Sequence, residues 1–148
     1  MIQTNRLFFT AAFLACCAML SVGMAATSTT PLSDETSALL SAMPARSQRE
    51  ADQKAAQLVK AGRGAILEVI GQLVPPGEGD DSGARYMLDS LTWHVSRPGA
   101  EEERKLYAEA LIKGLSRTKN PQVKAFLLEQ LGRVGKEESV AAIGRHLA

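Results

Sequence analysis

His94 and His146 are the only imidazoles in the chain. Neither has a cysteine nearby or a second histidine four residues away, so the spacing that holds zinc on one helix face is missing. His94 follows Trp93 on a segment whose apolar line is Leu88, Leu91 and Val95. Helical geometry places it on the face turned away from that line. Both histidines read as solvated or packing residues rather than as general bases. No Gly-x-Ser-x-Gly elbow and no Gly-x-x-x-x-Gly-Lys loop is present. Glu78, Asp80, Ser82, Gly83 and Asp89 imitate positions of a calcium loop. Pro75-Pro76 forbids the entering helix, Arg85 replaces the apolar eighth residue, and both end carboxylates are exchanged in type. The segment reads as a flexible acidic connector. Tyr86, Trp93 and Tyr107 carry aromatic surface of the kind a ligand face uses, but are expected to fill space between packed helices. The run Glu101–Glu103 reads as a solvated helix start. No catalytic residue, cofactor-binding residue or metal ligand is assigned.

The two cysteines, Cys16 and Cys17, lie within an N-terminal segment laid out as an export signal. Met1 to Arg6 is a short, weakly positive start, Leu7 to Leu20 is almost wholly apolar, and Gly23-Met24-Ala25 offers small residues for cleavage. The apolar run is shorter than the ~20 residues a spanning helix needs. Residues 1–25 therefore read as a signal peptide, and the mature chain as periplasmic or extracellular with no membrane span. Phe13-Leu14-Ala15-Cys16 also resembles a bacterial lipobox, which would make Cys16 a lipid anchor instead. Cleavage near Ala25 leaves no cysteine, hence no disulfide and no thiolate metal site.

Charge is almost balanced, 17 Lys+Arg against 16 Asp+Glu over 148 residues. A nucleic-acid binder needs a strong basic excess, so that class is set aside. Residues 26–46 read as a tether and a short helix, Asp34 to Met43, capped by Ser33 and interrupted at Pro44. Ser47-Gln48-Arg49-Glu50 is a capping box, and its helix runs to Ala61, closed by a left-handed Gly62. The next helix spans roughly Ala65 to Val74 and stops at Pro75-Pro76. Ala84, Met87, Leu88, Leu91 and Val95 share one face of a helix reaching about Ser96. Glu101–Glu103 open the following helix, whose stripe is Leu106, Ala110, Leu111 and Leu115. Asn120-Pro121 begins another. Six or seven helices and no strand are expected.

The chain also matches itself. Leu58, Gly62, Leu67, Ile70, Gly71 and Val74 precede Leu131, Gly135, Val140, Ile143, Gly144 and Leu147 by the same 73 residues. Ser47 and Asn120 keep that offset. With a pair at about 82–116 between them, the pairs 47–74, 82–116 and 120–147 give a helical-hairpin repeat over residues 47–148. Residues 120–147 resemble a unit of the HEAT repeat family, including its phycobilin-lyase-like variant, through Pro121, Val123-Lys124, Leu127, Leu131, Gly135, Val140, Ile143 and Leu147. Lys136 departs from the pattern, since Asp commonly follows the glycine.

The resemblance implies an all-α superhelix, a short solenoid of stacked hairpins whose surface holds another protein. Such a scaffold has no activity of its own. Likeness to the phycobilin-lyase variant implies an accessory or lyase-like subunit as the alternative, and a lipid-anchored envelope scaffold is a third reading. The sequence ends one residue after Leu147 without a polar capping helix, so a sticky terminal face is expected, met by a partner, by self-association or by the rest of a longer array.

Overall fold

The structure, a computed structural model, describes residues 32–147, excluding the side chains of Glu138, His146 and Leu147. The expected signal peptide, the lipobox at Cys16 and the tether at residues 27–31 lie outside the described residues. Within them the chain is all-helical, with seven helices and no strand: α1 (Asp34–Ser41), α2 (Gln48–Ala61), α3 (Arg63–Ile70), α4 (Ser82–Val95), α5 (Glu101–Arg117), α6 (Pro121–Val134) and α7 (Glu137–Leu147).

Helix starts follow the cap chemistry. The Ser47 hydroxyl accepts from the Glu50 amide at 3.2 Å. Glu50 reaches back to the amide of Arg46 at 3.0 Å, one residue earlier than a capping box requires. Asn120 Oδ1 accepts from the amides of Gln122 (2.9 Å) and Val123 (3.1 Å), and Pro121 fills the first helical position.

Three boundaries differ from expectation. α1 ends at Ser41, two residues short of Met43. Gly62 has φ 89° and ψ −175°, a positive-φ conformation outside the left-handed helical well and open to little but glycine. That one residue both closes α2 and begins α3, so α3 starts at Arg63 rather than Ala65. α3 then stops at Ile70, short of Val74, because the Val74 amide turns to Asp81 Oδ2 at 3.1 Å. α4 begins at Ser82, whose amide donates to Asp80 Oδ1 at 3.0 Å.

The flexible connector expected at residues 78–89 is therefore corrected: its second half is tied down. Arg85 holds Asp81 through Nε at 2.9 Å and Nη2 at 2.8 Å, and Nη2 also donates to the Val74 carbonyl at 3.2 Å. The same guanidinium lies 4.8 Å from the centre of the Phe126 ring on α6.

One core joins α1 through α6. Leu58, Ile66, Val69, Met87, Leu88, Leu91, Leu111, Leu115, Leu127 and Leu131 are fully buried in it. α2 packs against α4 and α4 against α6, while α3 packs against α5 and α5 against α6 and α7. Burial of this apolar surface is the main force holding the helices together. None of the described helices is long and apolar enough to cross a membrane.

Candidate functional site

α4 is covered by α2 on one side and α6 on the other, so its buried face is wider than its apolar line. Thr92 and His94 fall inside that face with Met87, Leu88 and Leu91. His94, expected to point away from the core, is 5% exposed. Its Nδ1 is 2.5 Å from Asp52 Oδ1 on α2, and its Nε2 is 3.4 Å from Glu103 Oε2 on α5. Arg97 meets the same Glu103 oxygen at 2.7 Å and donates to the His94 carbonyl at 2.5 Å. Both ring nitrogens are thus committed to neighbouring helices, and neither is presented to a cleft. This geometry ties three helices together and offers no free nitrogen to a substrate.

A second polar cluster lies between α4 and α6. The Thr92 hydroxyl donates to Gln130 Oε1 at 2.6 Å, and Gln130 Nε2 donates to Asp89 Oδ1 at 2.8 Å. The Tyr107 hydroxyl donates to the Leu88 carbonyl at 3.1 Å and lies 3.2 Å from Thr92 Oγ1. Burial pushes the Tyr107 phenol well above its usual range, partly opposed by the hydrogen bond with Thr92. Every polar group here has a partner, as a buried network requires. Gln130 carried no signal in the sequence, because its partners are 38 and 41 residues away.

The acidic residues that imitate a calcium loop do not converge. Asp80 serves the start of α4, whereas Asp89 lies within α4 and faces Gln130 and Arg133. The Ser82 hydroxyl and amide hold the exposed Asp80 carboxyl below its usual range. Among the described residues, no group of three or more His, Cys, Asp or Glu is arranged to hold a metal ion.

The aromatic residues divide. Tyr107 fills space between helices as expected, fully buried. Trp93 and Tyr86 do not: they are 70% and 51% exposed, two turns apart on the strip of α4 that no helix covers.

Two of the surface's further concavities carry several cations on their rims. Arg97, Arg104, Arg133 and Lys136 line a cleft of about 290 Å³ at the ends of α4 and α6. Arg97 and Arg104 each donate there to a carbonyl near a helix C-terminus, His94 and Val134, which accounts for their place. The other is a groove between α3 and α5. It encloses about 460 Å³ and is lined by Arg63, Leu67, Glu109, Ile112, Lys113, Ser116 and Arg117. A separate hollow of about 380 Å³ between α2 and α5 has Val59, Glu102, Glu103, Lys105 and Leu106, and shares Glu109 with it. Leu67, Ile112, Leu106 and Val59 are half-buried and rest on the core. α5 contributes to both hollows because positions 102, 106, 109, 113 and 116 recur at helical spacing on one face.

Comparison with protein-family models, with curated proteins and with solved structures returns no match.

Proposed function

We propose that the chain is an exported HEAT-like scaffold: a short superhelix of stacked helical pairs that binds another protein and has no catalysis of its own. The observation that carries this reading is the order of packing. α2, α4 and α6 follow one another through direct contacts, and so do α3, α5 and α7. Two parallel files of helices are what stacked hairpins produce.

The repeat positions support it. Ser47 and Asn120 both cap their helices, and Leu58 and Leu131 are both fully buried. Leu67 and Ile70 differ from their counterparts: Val140 is 67% exposed and Ile143 only half-buried, whereas Ile70 is 5% exposed. α7 meets α5 but has no helix beyond it among the described residues. That apolar end is where self-association or a partner would add.

Two measurements test the reading. A fragment of residues 119–148 is expected to be unfolded by circular dichroism at micromolar concentration, since one pair lacks a shared core. Cooperative folding of the fragment alone would overturn the stacked-repeat interpretation. Affinity capture with the mature chain from an envelope extract is expected to return a stoichiometric protein partner, and its failure would overturn the scaffold role. Mass spectrometry of the mature N-terminus is expected to begin near Ala26; a diacylated Cys16 would assign a lipid anchor instead.

A further inference from the structure

We propose that the α3–α5 groove receives a partner segment that is apolar along its length and acidic at the end nearest Arg117; this rests on the scaffold reading above. Its floor is Leu67 and Ile112, inside the volume of about 460 Å³. Its rim carries Arg63, Lys113 and Arg117 against the single acid Glu109. Arg63 is matched by Glu109 at 3.3 Å. Lys113 and Arg117 meet no acidic partner among the described residues. They are four residues apart on one helix face, a like-charge pair that helix surfaces disfavour unless an anion relieves it.

Beyond Glu109 lies the hollow between α2 and α5, where Glu102 and Glu103 flank Leu106 and Val59, with Lys105 the one cation. Glu103 is engaged by Arg97 and Glu109 by Arg63, which leaves Glu102 against Lys105 and no net charge there. From Glu109 to Arg117 the groove follows α5 for about 12 Å at 1.5 Å per residue. Its apolar floor, with two cations that meet no acid at one end, fixes which end of a guest is acidic. Carboxylates belong beside Lys113 and Arg117, and a basic segment would be repelled there.

Fluorescence anisotropy on the mature chain tests this with a labelled peptide of leucines at helical spacing, glutamates at one end and none at the other. It is expected to bind saturably, and more weakly as salt rises. The same peptide with lysines for glutamates is expected not to bind. K113E/R117E is expected to weaken binding about tenfold, while Arg49→Glu on α2, remote from the groove, leaves it unchanged. Equal binding of both peptides, no binding of either, or full affinity in K113E/R117E overturns the proposal. A photo-crosslinking residue at Ser116, compared with one at Trp93, separates this from the scaffold reading. Partner adducts at Trp93 without any at Ser116 overturn the groove alone. Adducts at neither position overturn both.

Discussion

Thr92 on α4 and Gln130 on α6 are 38 residues apart in the chain, yet their side chains meet at 2.6 Å, both almost wholly buried. The pair fixes the register of the two helices, because sliding either one would leave buried polar atoms without partners. Gln130→Ala is expected to destabilise the fold by about 1–3 kcal/mol, as Thr92 and Asp89 lose their partner. The double change T92V/Q130L, which removes both polar ends, is expected to cost less than the sum of its single changes. Urea unfolding of the four proteins checks both statements.

His94 joins α2, α4 and α5, so its loss is expected to exceed that of either acid it meets. His94→Ala should cost about 1–3 kcal/mol through the lost contacts and the space left behind. Asp52 is about half exposed at its side chain, so Asp52→Ala should cost less than about 1 kcal/mol. Equal effects in thermal unfolding would show that the imidazole contributes little beyond its exposed partner.

Gly135 joins α6 to α7 where a side chain has no room. A Cβ there would lie 2.6 Å from the Leu131 carbonyl oxygen and 2.6 Å from the Ser139 side chain. Gly135→Ala is expected to destabilise the α6–α7 junction by about 1–3 kcal/mol. Gly132, inside α6 and facing open space, should behave oppositely, with Gly132→Ala stabilising by about 0.5–1 kcal/mol. Denaturation midpoints of the two variants separate a close approach from a merely weak helix position.

α1 is tied to α3 by the carboxylate of Glu68, which accepts from the Ser33 amide at 3.0 Å and the Ser33 hydroxyl at 2.8 Å. The Ser33 amide first, then the Thr36 and Ser33 hydroxyls, hold the Glu68 carboxyl below its usual range. Its stabilising contribution is therefore present above the ordinary glutamate range near 4.3 and lost as pH falls through the depressed folded value. Amide exchange in residues 33–41, corrected for intrinsic rates, is expected to speed up relative to the core on acidification. Glu68→Gln should remove that pH dependence and leave the rest of the exchange pattern unchanged.

The helices were legible because their signals are local. Ser47 and Asn120 announce their own caps, and Met87, Leu88 and Leu91 lie on one face by spacing alone. Legibility failed where a side chain answers to a distant one. Glu50 bypasses its own cap for Arg46, Val74 leaves its helix for Asp81, and His94 is drawn inward by Asp52 and Glu103. Trp93 shows the reverse: nothing in its neighbourhood along the chain says that no helix will cover it.

By itself, then, the order of residues determined the helical class, the helix starts capped by Ser47 and Asn120, and the separation of apolar from charged faces. These depend on hydrogen bonds and side-chain periodicity within a few residues of each other. Tertiary packing alone decided that α4 would be covered on two sides, that Gln130 and His94 would become buried ties, and that α3 and α5 would leave a charged groove between them. Those outcomes depend on which helix faces meet, and that is set by burial summed over the whole core rather than by any one segment.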